Sequence, residues 1–169
     1  MNIQVGQVVP PLTRTIRLTD MVAYAGATWD WHRLHYDPDY AAEKKLPGPI
    51  VDGQVFGALL VEQLQDWLGP RSFVHRLAFT FRNLVFAGET VRCEGTVTEA
   101  DAERIVCELR VVVVGEDDTV VRTAVAPAKA TVLLGRTDGP GAPRRSAPTA
   151  TTEPADGRPA DRAAGEATP

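Results

Sequence analysis

One apolar run, VFGALLV at residues 55–61, organises the interpretation of this 169-residue chain. Asp52-Gly53 before the run is typical of a helix start, and Gly69-Pro70 after it ends a helix. The pattern therefore predicts a helix from residue 52 or 53 to about residue 68. Because the run is apolar on every side, we expect its first half to be buried all round.

The chain after this helix alternates apolar and polar residues, which predicts strands. Three of the strands carry apolar faces formed by Leu77, Phe79 and Phe81, by Val91, Cys93, Gly95 and Val97, and by Ile105, Cys107, Leu109, Val111 and Val113. The last strand is predicted from Val120 to Leu134, with Pro127 indicating a bulge or an edge position. A buried helix followed by four antiparallel strands is an α+β plan in which the sheet wraps the helix. One curved sheet leaves a face open, so dimerisation is expected.

Shorter elements are predicted before the central helix. Residues 13–18 alternate weakly, as a short edge strand would. Thr19 is the expected N-cap of a helix running to about residue 27. Asp37-Pro38 predicts a second helix start, with the carboxylate as cap and proline at the first helical position, continuing to about residue 45.

Composition excludes several classes of function. The net charge of -4 argues against a nucleic-acid partner, because phosphate contacts need a basic face. No run approaches the roughly 20 apolar residues of a membrane span, and the N-terminus lacks signal-peptide features. Cys93 and Cys107 alone make no disulfide framework or metal knuckle, and we expect buried thiols. These features favour a cytoplasmic protein.

The last 34 residues differ from the rest of the chain. Residues 136–169 contain no Leu, Ile, Val, Met or aromatic residue and six of the thirteen prolines. Such a segment cannot bury enough apolar surface to offset its ordering entropy. We therefore predict a folded domain at residues 1–135 and a disordered Pro/Ala-rich tail at residues 136–169.

The segment TWDWHRLHYDP at residues 28–38 concentrates polar and aromatic groups. Asp30 and His35 lie five positions apart, roughly 140° around an ideal helix, so they would not share a helical face. In a loop the same spacing lets a carboxylate and an imidazole meet over a substrate. We interpret the segment as a catalytic Asp/His loop, the alternative being a polar loop with no chemistry.

Three collinear motifs resemble the MaoC-like hydratase/dehydratase family of the hot-dog fold, which includes (R)-specific enoyl-CoA hydratases and 3-hydroxyacyl-thioester dehydratases. Asp30 and His35 match the ends of the family's D-x-N-x-x-H loop. GPIVDG at residues 48–53 is similar to its G-x-I-x-H-G turn, and FRNLVFAGET at residues 81–90 to its F-x-x-P-V-F-x-G-D-T strand and turn. The resemblance implies a hot-dog domain, an antiparallel sheet wrapped around a long central helix.

The resemblance also implies a reaction, the reversible hydration of a 2-enoyl thioester carried by coenzyme A or acyl carrier protein. It places the water between Asp30 and His35 and assigns Gly53 to the oxyanion site, where unpaired N–H groups at a helix start suit a developing negative charge. No metal and no redox cofactor is expected. The expected partners are the acyl thioester and a second hot-dog chain, in a homodimer or a hetero-oligomer.

Three positions depart from the family pattern. His32 replaces the usual Asn. We count it with Gly53 as a candidate oxyanion or substrate-binding residue, and its favoured role is to order the loop through hydrogen bonds. Asp52 replaces a His next to the oxyanion site, and we expect it to turn away or to cap the helix. Ala58 stands where some hydratases are expected to carry a serine.

These departures keep two alternatives open. One is a non-catalytic or half-active subunit of a hetero-oligomeric hot-dog dehydratase. The other is a hot-dog thioesterase, although Glu62, the central-helix acid beyond the start, lies in the helix's more polar half and is a poor nucleophile.

The remaining aromatic and histidine residues receive structural interpretations. Trp29, Trp31 and Tyr36 are expected to be packing residues, with the alternative that one of them lines the acyl channel, and Tyr24 is expected to be a core residue. His75 shares strand parity with apolar neighbours, which predicts a partly buried structural histidine.

Overall fold

The computed structural model of the protein describes residues 2–135. The tail predicted at residues 136–169 lies outside the described residues, so the domain boundary stays a prediction. The elements in chain order are β1 (Val8–Thr15), α1 (Leu18–Thr28), a 3₁₀ turn (Arg33–His35), α2 (Pro38–Glu43), α3 (Gly53–Leu68), β2 (Ser72–Phe81), β3 (Thr90–Ala100), β4 (Arg104–Val114) and β5 (Val120–Leu134).

The five strands form one antiparallel sheet in the order β1-β3-β4-β5-β2. Helix α3 packs against β1, β2 and β3. This arrangement confirms the predicted α+β hot-dog architecture, and β1 lies at a sheet edge as expected. Strand β5 is interior, so Pro127 does not mark an edge. It lies instead in a bulge, where the pairing of β5 shifts against both β2 and β4.

The central helix begins and ends close to the predicted bounds. Asp52 is its N-cap, with Oδ1 accepting a hydrogen bond from the Gln54 N–H at 2.9 Å. Gln63 is buried and its amide donates to the carbonyls of Pro10 and Cys93, which ties α3 to β1 and β3. The prediction that the first half of this helix is buried on every side is wrong. The sheet covers only part of the helix, and Ala58 is exposed.

Other differences from the predicted elements have local causes. Strand β1 spans Val8–Thr15 rather than residues 13–18. Helix α1 begins at Leu18, ahead of the predicted cap Thr19, because the Asp20 carboxylate accepts from the Arg17 N–H at 2.9 Å. Helix α2 is capped by Asp37 as predicted but ends at Glu43.

Two structural interpretations of aromatic residues are wrong. His75 is exposed, because a bulge between Val74 and Arg76 breaks the alternation on which its predicted burial rested. Trp29 and Trp31 remain 81% and 45% exposed.

Candidate active site

The Asp/His loop is fixed at both of its ends. Helix α1 stops at Thr28, and Trp29 follows in the left-handed backbone region with φ 61°. At the other end, Asp37 Oδ1 accepts from the N–H groups of Asp39 and Tyr40, each at 3.0 Å. The bond from the Tyr40 N–H and the ion pair with Arg33 lower the pKa of Asp37, so its carboxylate stays charged and holds the loop.

Backbone contacts orient the imidazole of His35. Its Nδ1 lies 2.8 Å from the carbonyl oxygen of Ile50, and the Ile50 N–H donates to the Leu34 carbonyl at 2.9 Å. A carbonyl oxygen can only accept, so Nδ1 must carry the hydrogen. The neutral ring therefore has Nε2 as its acceptor, and Nε2 is the nitrogen left for proton exchange.

Three polar side chains converge in one crevice. Asp30, His35 and Asp52 each present an atom within 4.8 Å of the other two. Asp30 is exposed, whereas His35 and Asp52 are half-buried. The structure thus brings together Asp30 and His35, which the sequence paired, at the start of α3. Two carboxylates and an imidazole are also suitable ligands for a metal ion, so the absence of a metal from the site stays a prediction.

Gly53, the first residue of α3, lies beside this crevice under an aromatic ring. A Cβ added at Gly53 would lie 2.5 Å from Cζ of Phe81, so glycine is required while the ring keeps this position. The Asp52 cap uses the Gln54 N–H and leaves the Gly53 N–H for other partners. The helix start is therefore suited to an anionic oxygen.

The two substituted positions behave differently. His32 is exposed and its Nδ1 accepts from the Leu34 N–H at 3.2 Å, which is the loop-ordering contact expected of it. The main-chain N–H of His32 donates to Asp30 Oδ1 at 3.2 Å. Asp52 caps α3 as expected, but it does not turn away from the site.

Tyr24 borders the crevice, although its sequence position suggested a core residue. It is half-buried on α1, with Met21 and Ala25 also lining the crevice. Burial, followed by the Asp52 charge, raises the pKa of Tyr24, so the phenol stays neutral. The spacing of residues 21, 24 and 25 on one helical face is the signal that could have identified Tyr24.

A larger hollow, of about 680 Å³, lies elsewhere against β1, β3, β4 and β5. Its charged residues include Arg92, Glu94, Arg110 and Asp118, which form ion pairs with one another. It shares no lining residue with the Asp30 crevice, so size alone does not identify the site. In residues 2–135, no helix has the length and apolar character needed to cross a membrane.

A helix wrapped by one antiparallel sheet, with a carboxylate and an imidazole beside the helix start, places the chain in the hot-dog class. A family model described as the MaoC like domain matches residues 2–121, and the chain belongs to the MaoC-like dehydratase family.

Similarity to an individual hydratase agrees with this assignment. Over 112 residues the chain is 30% identical to the (R)-specific enoyl-CoA hydratase of Aeromonas caviae, covering 64% of this chain and 81% of the relative. The solved (R)-hydratase from A. caviae involved in PHA biosynthesis has a TM-score of 0.69 at 27% identity, over 78% of this chain and 97% of that one. The ChsH1-ChsH2 complex from Mycobacterium tuberculosis, at 24% identity and a TM-score of 0.69, covers 80% of this chain and 100% of that one and supports the fold alone.

Proposed function

We propose that this hydro-lyase adds water reversibly across the double bond of a 2-enoyl thioester, giving the 3-hydroxyacyl thioester, with coenzyme A or acyl carrier protein as the carrier. The observation that carries the proposal is the convergence of Asp30 and His35 at the start of α3. The A. caviae relative, an (R)-specific enoyl-CoA hydratase by name, supports the same substrate class.

Asp30 and His35 Nε2 hold the water between them. The water oxygen bonds to C3 of the enoyl group, and the π electrons move toward C2 and the thioester oxygen. The Gly53 N–H stabilises that oxygen, a contribution of roughly 3–4 kcal/mol for an oxyanion donor. As the C3–O bond forms, one water O–H bond breaks and its proton passes to His35 Nε2, which then delivers that proton to C2 as the electrons return from the thioester oxygen. The water supplies both groups added, so the side chains recover their starting protonation.

No redox cofactor enters this proposal, because adding water to a double bond changes no net oxidation state. His32 serves the site by holding the loop, through its contact with the Leu34 N–H. Direct contact between His32 and the substrate is a further part of the proposal.

The test is the hydration of crotonyl-CoA by Asp30→Asn and His35→Ala. General acid–base groups contribute about 10²–10⁴-fold, so each variant is expected to lose at least about 100-fold in kcat. His75→Ala is the matched control, because His75 is exposed on β2 and does not line the crevice. Wild-type rates in both Asp30→Asn and His35→Ala would overturn the catalytic assignment.

The position of Glu62 argues against the thioesterase alternative. Glu62 forms an ion pair with Arg14 and lies outside the Asp30 crevice. The same crotonyl-CoA reaction, followed for free thiol, is expected to show none beyond the uncatalysed rate.

A second hot-dog chain is proposed as the partner, in a homodimer. The supporting observation is the exposed side of α3, where Ala58 lies in an open hollow of about 490 Å³ with Gly57, Val61, Leu77 and Phe79. A hetero-oligomer, the basis of the half-active-subunit alternative, is the other arrangement that would cover this face.

A further inference from the structure

Tyr24 occupies a position shared by three separate spaces. Its side chain lines the Asp30 crevice, the open hollow along α3, and a third recess between the end of β1, α1 and α3. Tyr24 is the one lining residue that these three spaces have in common.

The recess has the properties of a binding space for an alkyl group. Its volume is about 180 Å³ and its surface is almost entirely apolar. Its lining consists of the apolar residues Ile16, Met21, Tyr24, Val55 and Leu59 together with Arg14, Thr15 and Asp20, whose polar atoms contribute little of its surface.

Three residues separate the recess from the crevice, because Met21, Tyr24 and Val55 line both spaces. Met21 and Val55 are buried, whereas Tyr24 is half-buried and also borders the hollow. The Tyr24 phenol is neutral near pH 7, and burial raises its pKa further, so the ring can lie against an alkyl group without a charge.

The hollow is a poorer place for a long alkyl group. Gly57, Ala58 and Val61 line part of it, but Glu62 and Asp66 line it as well. A long chain lying there would leave apolar carbon beside carboxylates that need water.

We propose that Tyr24 determines acyl-chain specificity: its ring closes the α1–α3 recess to the acyl group and restricts the enzyme to short acyl chains. The proposal rests on the function proposed above, because it presupposes an acyl thioester with its reacting carbons beside Asp30 and His35. Removing the ring joins the recess to the crevice and gives a longer chain an apolar destination.

Calorimetric titration with saturated acyl-CoA thioesters, from butanoyl to dodecanoyl, tests the proposal without turnover. Each methylene that leaves water gains about fourfold in affinity. For the wild type, Kd is expected to stop falling by hexanoyl-CoA. For Tyr24→Ala, Kd should continue to fall about fourfold per methylene for several further carbons. Tyr24→Phe keeps the ring and should follow the wild type.

Tyr24 packs against the core, so the fold of the variant needs its own check. Circular dichroism reports folding, and Tyr24→Leu is a smaller change that should extend the profile over fewer carbons. Leu59 lines the recess but neither of the other spaces. Leu59→Phe in the Tyr24→Ala background should refill the recess and restore the short-chain profile.

Two results would overturn the proposal: a wild-type Kd that keeps falling to dodecanoyl-CoA, or Tyr24→Ala and Tyr24→Leu profiles that match the wild type. The proposed hydratase function fails separately, if the wild type binds the thioesters but hydrates none of the corresponding 2-enoyl compounds.

Discussion

At the scale of single residues, Asp52 distinguishes this site. It caps α3 through Oδ1, yet it also lies within 4.8 Å of polar atoms on Asp30 and His35. A carboxylate beside the proposed oxyanion position would oppose the negative charge that develops there on a thioester oxygen. Because Asp52 is half-buried, water screens its charge less than it would screen a fully exposed carboxylate.

Asp52→Asn separates the two roles of the residue. Asparagine caps a helix about as well as aspartate, so α3 should keep its start. Without the negative charge, kcat/KM for crotonyl-CoA is expected to rise several-fold to about tenfold, more at low salt. Asp52→Ser, another good cap without charge, is the matched variant. A tenfold fall in both variants would contradict this prediction and assign the carboxylate a productive role.

The proximity of Asp30 and His35 was predictable at this scale, because side chains five residues apart point away from each other on a helix but can meet in a loop. The Asp37 cap was predictable because Asp-Pro is a specific helix start. The exposure of Trp29 was not. It depends on the left-handed backbone conformation of Trp29 after α1, which no local residue pattern predicted. Gln63 was also missed, because its acceptors, Pro10 and Cys93, are far away in sequence.

At the scale of elements, periodicity predicted the strands well and failed at bulges. The last strand was predicted to run from Val120 to Leu134, and it does. In β2, one bulge between Val74 and Arg76 moves His75 to solvent. A bulge depends on pairing with a distant strand, so a single strand's sequence does not specify it.

Strands β3 and β4 each carry a buried thiol, which predicts a pH-dependent stability. Burial raises the pKa of Cys93 to about 12 and that of Cys107 to about 11, against an ordinary value of 9.0. Because both pKa values are raised in the folded state, the neutral thiols favour folding. Their contribution to the free energy of unfolding is complete below pH 9 and is lost as the pH rises toward 11–12. Each thiol should remove at most about 1.4 kcal/mol of unfolding free energy per pH unit above 9.

Urea unfolding at pH 8, 9 and 10, in reducing buffer and followed by tryptophan fluorescence, measures this loss. The Cys93→Ala/Cys107→Ala variant should show a shallower decline with pH than the wild type, whatever its stability at pH 8. Equal declines would mean that the thiols do not contribute.

At the scale of the whole molecule, the open side of α3 is the main feature. The sequence predicted an apolar helix and a single curved sheet that leaves a face open. The exposed Ala58 agrees with the open face, although burial of the helix on every side was also expected. The partner that covers this face could not be predicted, because it depends on the shape of a second surface.

Ala58→Arg tests the proposed homodimer. Light scattering with size-exclusion chromatography should give the wild type twice the chain mass of 18.3 kDa and the variant a single chain mass. An arginine side chain in the hollow would obstruct the partner and bury a charge. Ala102→Arg is the control, since Ala102 is exposed in the β3–β4 turn. A monomeric wild type with full turnover would contradict the homodimer, and turnover that requires a second hot-dog chain would support the hetero-oligomer.

The orientation of His35 has a consequence for how the protein tolerates genetic change. Its Nδ1–H partner is the main-chain carbonyl of Ile50, an atom that every amino acid supplies. The Ile50–Phe86 bridge and the bond from the Val51 N–H to the Val85 carbonyl hold that backbone in place. Codon changes at residue 50 can alter the side chain while keeping the tautomer of the imidazole. The tautomer of His35 therefore depends on the backbone path at residue 50, and substitutions there that keep this path also keep the tautomer.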